Sequence, residues 1–265
     1  MSEAPEIVLT NDDGIDSLGI RALYDELSMV GDVTVVAPAE DQSAVGRSIS
    51  SEVGVEEHEL GYAVDGTPSD CVVAAMGELE PDPDLVVSGC NRGANLGAYV
   101  LGRSGTVSAA VEAAFFDVPA IATSLYVPAG DISYRDVEIT KADFAEATRA
   151  TRFLAERVPE TDVFEAVSLL NVNAPPAGET PAPLEVTHPS PRYEMDAVEN
   201  GGSVELRDRI WERMDPETLP DPAGTDRRAV VEGKVSVSPI TVPHADASPD
   251  VLEGLSAEYG ETLGQ

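Results

Sequence analysis

The sequence predicts an α/β fold built on a mostly parallel sheet. Three observations carry this. Short runs of β-branched and aliphatic residues recur between Ile7 and Val172, amphipathic segments separate them, and the runs empty into polar loops rich in glycine. Strands alternating with helical patterns in this way indicate β-α-β units with right-handed crossovers.

The first strand is Ile7-Val8-Leu9-Thr10, which ends in Asn11-Asp12-Asp13-Gly14. From Ser17 to Val30 the apolar residues Leu18, Ile20, Leu23, Leu27 and Val30 recur near helical spacing, and Gly31 supplies a stop. Asp32 to Pro38 is a second strand, followed by a polar loop from Ala39 to Ser50 and a hairpin around Gly61 to Gly66. Thr67, with Pro68 after it and Asp70 three residues on, opens a helix that runs to about Leu79. Asp84 to Ser88 is a third strand, ending in Gly89-Cys90-Asn91-Arg92-Gly93. A loop bearing Gly93, Gly97, Gly102 and Gly105 leads into a helix of small residues from Val107 to Phe116. Pro119 to Leu125 and Ala166 to Val172 read as strands, and Thr140 to Val158 as a long amphipathic helix between them. Beyond Ala174 prolines and short alternating segments take over, so residues 175–245 are expected to form an arm or small β-region apart from the sheet.

Composition bounds the function. A chain of 265 residues with 42% hydrophobic content can build one large core. Asp and Glu total 49 against 16 Lys and Arg, a formal charge of -33 spread along the chain. Such a surface repels itself in dilute buffer, whereas at 1 M salt the Debye length falls to about 3 Å. This is the composition of a protein from a salt-accumulating halophile. It disfavours binding to nucleic acid or anionic membrane, which carry the same sign of charge. Cys71 and Cys90 have no C-x-x-C spacing, which argues against zinc and a disulfide framework. Residues 1–6 carry no basic region or apolar signal core, and no run approaches a membrane span, so a cytoplasmic location is expected.

Two adjacent carboxylates at the end of a buried strand repel one another unless a cation sits between them. Asn11, Asp12 and Asp13 offer oxygen and amide groups, the donor set of Mg²⁺ or Mn²⁺. Asn, Asp and Gly are also the commonest turn residues, and the stretch alone reads equally well as a turn. The other strand-end loops tip the balance, because a parallel sheet brings them to one edge. There Asp12, Asp13, the Ser43 hydroxyl and the Asn91 side chain would form a hard-cation site. Ser104-Gly105-Thr106, where a loop meets a helix, could cradle a phosphate. Arg47, Arg92 and Arg103 keep positive charge in the candidate loops of a strongly acidic chain. No G-x-x-x-x-G-K-[ST], no G-x-G-x-x-G after the first strand and no Asp-x-Asp at its end are present, which sets aside P-loop, dinucleotide-binding and haloacid-dehalogenase readings.

These residues resemble the survival-protein-E (SurE) nucleotidases. The likeness is carried in order by Thr10-Asn11-Asp12-Asp13-Gly14, Ala37-Pro38 to Asp41-Gln42-Ser43, Gly66-Thr67-Pro68-Ser69-Asp70-Cys71-Val72, Ser88-Gly89-Cys90-Asn91-Arg92-Gly93-Ala94-Asn95-Leu96-Gly97 and Ser104-Gly105-Thr106-Val107. Thr225-Asp226 and Val235 to Pro239 resemble the family's C-terminal signature. The resemblance implies a Rossmann-like doubly wound sheet over residues 1–175. It also implies a C-terminal β-arm and terminal helix over 176–265 that pack on the core and are exchanged between subunits of a homodimer or homotetramer. The implied activity is metal-dependent phosphate release from nucleoside 5′-monophosphates, with 3′-monophosphates and short polyphosphate as further substrates. The competing class is a non-catalytic nucleotide-binding module on the same fold. Asp12, Asp13, Ser43 and Asn91 are the implied ligands of one divalent cation per subunit, and Asp12 and Asp13 the catalytic pair. Ser104, Gly105 and Thr106, with Asn95 nearby, are the implied grip on substrate phosphate, and Asn11, Arg47 and Arg92 join them as candidates from their place in the same loops. Arg103 stands where the family usually has tyrosine.

Overall fold

A computed structural model of the chain describes residues 4–80, 82–128, 136–158 and 161–242. The strand β1 (Glu6–Thr10) alternates its side chains between two apolar layers. Ile7 and Leu9 join one cluster and Val8 the other, the pattern of a sheet covered on both faces. The first layer is filled by the helices α1 (Leu18–Leu27) and α4 (Ala145–Arg157), through Leu23, Leu27, Phe144 and Leu154. The second is filled by α2 (Pro68–Ala74) and α3 (Gly105–Phe115), through Val72, Val107 and Ala110.

The remaining strands are β2 (Asp32–Pro38), β3 (Gly54–His58), β4 (Gly61–Asp65), β5 (Leu85–Arg92), β6 (Ala120–Leu125), β7 (Leu169–Ala174), β8 (Leu184–Val186), β9 (Met195–Asn200), β10 (Ser203–Asp208) and β11 (Val235–Ile240). Among the described residues nine of the eleven strands, β1 included, form one sheet in the order β3-β4-β2-β1-β5-β6-β7-β11-β8. From β4 to β7 every neighbouring pair is parallel; β3 and β11 pair antiparallel with β4 and β7. The fold is the α/β, mostly parallel, doubly wound architecture that the sequence predicts.

Local chemistry explains the element ends. The Ser17 hydroxyl accepts from Ile20 N at the start of α1, and Thr67 and Asp70 form a reciprocal capping box at the start of α2. Beyond Ala74 the helix widens into a π-helical turn, Ala75–Leu79. The helix expected from Thr140 begins as a 3₁₀ turn, Lys141–Phe144, and becomes α4 at Ala145.

Two expectations need correcting. The hairpin turns at Glu59-Leu60, and Gly61–Asp65 is its returning strand β4, with Val55 opposite Val64. Residues 175–245 do not stand apart from the sheet as a whole. β11 extends it by pairing with β7, β8 pairs with β11, and only the β9–β10 hairpin forms a separate ribbon. Val235 and Val237 are core residues, which the proline-rich texture around them concealed. A short helix, α5 (Val163–Ala166), precedes β7, and the C-terminal stretch holds α6 (Asp226–Val231), whose six residues are too few to show a helical period. The expected terminal helix lies outside the described residues.

Candidate active site at the carboxyl edge of the sheet

Parallel pairing brings the C-terminal ends of β1, β5, β6 and β7 to one edge, with Thr10 opposite Ser88, Asn91 opposite Ser124, and Ser124 opposite Asn173. In open α/β sheets this edge is where ligands bind. Between Ser88 and Asn91 the ladder shifts register, and the bulge turns the end of β5 toward the loop after β1. As a result Arg92 N donates to Asp13 Oδ2 at 2.8 Å.

Asp12 is buried, at 3% exposure. Its Oδ1 accepts from the Thr106 hydroxyl at 2.6 Å and its Oδ2 from Thr106 N at 3.2 Å. Gly105 permits this approach. A Cβ built there would lie 2.8 Å from the Asp12 Cβ and 2.9 Å from Oδ2. Gln42 N donates to the Asp12 carbonyl at 2.7 Å, so the loop after β2 is drawn to the same place. In that loop Asp41 Oδ1 accepts from both Ser43 N and the Ser43 hydroxyl, at 2.7 and 2.5 Å.

Burial pushes the Asp12 carboxyl above the usual range, against the hydrogen bonds from Thr106. The Asp13 carboxyl is pushed up to about 7, first by burial and then by the charge of Asp12 beside it. Asp41 adds to the repulsion on both. Three carboxylates thus crowd one partly dry corner, an arrangement that a cation stabilises. Asn11 points elsewhere: its Nδ2 donates to Gly14 O and Ser17 Oγ, both at 2.8 Å, and ties the loop to the start of α1. Its buried Oδ1 has no hydrogen-bond partner.

The other residues singled out from sequence are placed as follows. Asn91 Nδ2 donates to Gly93 O at 2.6 Å. Ser104 caps α3, its hydroxyl accepting from Val107 N at 3.1 Å. Asn95 is buried in a polar network that sequence reasoning missed. Its N donates to Asn173 Oδ1 and its Nδ2 to Ser124 Oγ, while its carbonyl accepts from Asn171 and Asn173. The two asparagines two positions apart at the end of β7 were the available signal, since period two puts both on one face of a strand. Arg92 also donates to Val137 O, at 2.6 Å. Arg47 is turned toward α3, 3.5 Å from Glu112 and over the Phe115 ring. Arg103 lies over the Tyr99 ring, its guanidinium carbon 5.4 Å from the centroid.

The profile of the family described as "Survival protein SurE" matches residues 7–196. The chain belongs to the SurE family. It is 61% identical over 255 residues to a protein of Natronomonas pharaonis named 5′-nucleotidase SurE, covering 96% of this chain and 99% of that one. A protein of Haloarcula marismortui with the same name is 61% identical over 258 residues, covering 97% and 96%. These relatives come from halophilic archaea, as the acidic composition leads one to expect. The crystal structure of the SurE protein of Aquifex aeolicus matches with a TM-score of 0.76 at 31% identity, over 91% of this chain and 95% of that one. The SurE match spans β1 to the start of β9, and with it the whole carboxylate corner.

Proposed function

We propose that this SurE chain is a phosphatase that hydrolyses nucleoside 5′-monophosphates with the help of one divalent cation, Mg²⁺ or Mn²⁺, per subunit. The observation that carries the reading is the buried Asp12 carboxylate, held by Thr106 at the mouth of a parallel sheet beside Asp13. The names of the relatives from Natronomonas and Haloarcula support the activity.

The residues fit a hard cation. Asp12, Asp13, Ser43 and Asn91 supply only oxygen and amide donors, and the raised carboxyls mark a corner with excess negative charge. Among the described residues no group of three or more His, Cys, Asp or Glu side chains is arranged to hold a metal, and in the proposed set the Ser43 hydroxyl and the Asn91 side chain complete the donors of Asp12 and Asp13. A cation bound there would polarise a phosphoryl oxygen and acidify water.

The chain's own residues do the rest. The Ser104 hydroxyl accepts from Val107 N and keeps its own O–H to donate to the phosphate, with the Gly105 N–H beside it at the start of α3; the next amide, Thr106 N, serves Asp12. Asn95, fixed by Ser124 and Asn173, holds the loop that faces it. Thr106 locks the Asp12 carboxyl in one rotamer, ready to accept a proton from attacking water or to attack phosphorus itself. In the first case the bond from phosphorus to the ester oxygen breaks as the hydroxide oxygen bonds to phosphorus, and the proton taken by Asp12 passes to the leaving oxygen. In the second the ester oxygen leaves with a proton from water, and a further water hydrolyses the aspartyl phosphate, so either route yields the nucleoside alcohol and inorganic phosphate. We include 3′-monophosphates and short polyphosphate as further substrates, since both present the same terminal phosphoryl group.

The proposed assembly is a homodimer or homotetramer. Val204 and Leu206 on β10 are 63% and 70% exposed, apolar side chains on a two-stranded ribbon separate from the main sheet. The proposed compartment is the cytoplasm, in keeping with the free, buried thiols of Cys71 and Cys90. Among the described residues no helix is long and apolar enough to cross a membrane.

Phosphate release from a panel of nucleoside 5′- and 3′-monophosphates in multimolar KCl, with Mn²⁺, with Mg²⁺ and with a chelator, tests the reading. Metal-dependent release is expected. No release from folded protein would leave a nucleotide-binding module as the better account.

A further inference from the structure

The loop from Gly93 to Ser104 carries Asn95 and ends at the cap of α3, yet it has few ladder hydrogen bonds of its own. Near its start Asn95 ties it to β6 and β7, and its last residue, Ser104, caps α3. Its middle is held from a distant part of the sequence, by α6.

Asp226 is fully buried. Its Oδ2 accepts from Gly97 N at 2.6 Å, and its Oδ1 from Ser190 N at 3.0 Å and Arg227 N at 2.8 Å. Ser190 in turn accepts at its carbonyl from Ala98 N at 2.8 Å. Arg227 is also buried completely. Its guanidinium donates to Leu96 O at 3.5 Å and to Arg192 O at 3.3 Å, and pairs with buried Asp221 at 3.5 Å. The guanidinium carbon lies 5.6 Å from the centre of the Tyr99 ring. Gly97 has φ +89°, and a Cβ there would fall 2.2 Å from Arg227 Nη2. The loop and the arginine occupy each other's only space.

A buried arginine is a poor choice for stability alone. Among the described residues its Nε has no hydrogen-bond partner, and apolar residues of similar volume commonly replace buried ion pairs at no loss. What the fork supplies is fixed geometry toward a backbone carbonyl and a ring. We propose that Asp226 and Arg227 are positioning residues for the substrate loop. They lock Leu96 to Tyr99 so that Asn95 and Ser104 meet the phosphate without prior ordering. This role rests on the phosphatase reading above. Neither residue touches the reacting atoms.

The test compares wild type, Asp226→Asn, Arg227→Gln and Arg227→Lys by steady-state kinetics on a nucleoside 5′-monophosphate in multimolar KCl with Mn²⁺. Asparagine leaves one acceptor oxygen and one donor for three backbone N–H groups. Misplacing a gripping loop by an ångström costs on the order of 10- to 100-fold in kcat/KM, carried mostly by KM. Arg227→Lys, which keeps the charge without the fork, is expected to fall between wild type and Arg227→Gln. Folded variants with both constants within about two-fold of wild type would overturn the proposal. If the variants do not fold, amide hydrogen exchange on the wild type decides. Amides of Leu96 to Tyr99 as protected as those of β5, with or without inorganic phosphate, are expected. Rapid exchange that slows only with phosphate would show that α6 does not set the loop. A wild type that releases no phosphate defeats the phosphatase reading, and the exchange measurement then judges the lock on its own.

Discussion

Thr106 and Asp12 lie 94 positions apart, and the threonine hydroxyl donates to the aspartate Oδ1 at 2.6 Å. This bond joins the end of β1 to the first turn of α3, the two elements that supply the carboxylate and the phosphate cradle. Both side chains are buried, so each must find its hydrogen-bond partner within the fold.

Thr106→Val keeps the shape of the side chain and removes the hydroxyl. The carboxylate then has one hydrogen bond fewer in a buried site. A drop in kcat of about 10- to 100-fold is expected, with a stability loss of about 1–3 kcal/mol. Comparing kcat with the denaturation midpoint at one salt concentration separates the two effects.

Gly105→Ala places a methyl group 2.8 Å from the Asp12 Cβ. The clash is with a short side chain anchored to the strand, so α3 must shift. Overpacking of this kind costs about 1–3 kcal/mol. Activity should fall further than stability, since the shift moves the cradle relative to the carboxylate; kinetic constants and a melting curve on the same sample check this.

Asp70 gives a pH prediction. Burial pushes its carboxyl up, but hydrogen bonds from the Ser50 and Thr67 backbones and the Ser50 hydroxyl outweigh burial and hold it below its ordinary value. A carboxyl depressed in the folded state adds stability above its unfolded pKa and loses it as pH falls through the folded pKa. Asp70→Asn should therefore cost about 1 kcal/mol at neutral pH, through loss of the capping box, and the gap from wild type should close as pH falls from neutral through the lowered pKa of the folded carboxyl. Denaturant midpoints at fixed KCl across that range measure it.

Leu206→Glu and Val204→Glu put charge on the exposed face of the hairpin. If that face meets a second copy, light scattering will report a smaller assembly while the melting curve of the subunit stays within about 1 kcal/mol of wild type.

Much of this architecture was legible in the sequence. β1, β2, α2 and the loop endings announced themselves because strand runs, a Thr-Pro-Ser-Asp start and glycine-bearing exits are local signals. The hairpin was misplaced by a few residues because Gly61 reads as a turn glycine, although it opens β4. β11 was missed as part of the sheet because its pairing with β7 is long-range and its surroundings are rich in proline. At the site, Asp12, Asp13 and Thr106 stood out from residue chemistry. Asn171 and Asn173 offered only their two-residue spacing, and Asp226 and Arg227 offered no role of their own beyond the C-terminal signature that holds Asp226, since what these residues do depends on which loop folds over them. Arg47 shows the converse limit. A cation near a candidate loop in sequence is turned to Glu112 and Phe115 in space.

The central claim is that Asp12, beside Asp13, works on a phosphoryl group with a bound cation. The most direct measurement is phosphate release by Asp12→Asn and wild type in multimolar KCl, with melting curves taken at increasing Mn²⁺. The account predicts that wild type turns over only with metal and gains about 2.7 kcal/mol when metal reaches 100 times its Kd. The folded variant should lose both the turnover and most of that gain. An Asp12→Asn protein that releases phosphate at the wild-type rate would contradict the account.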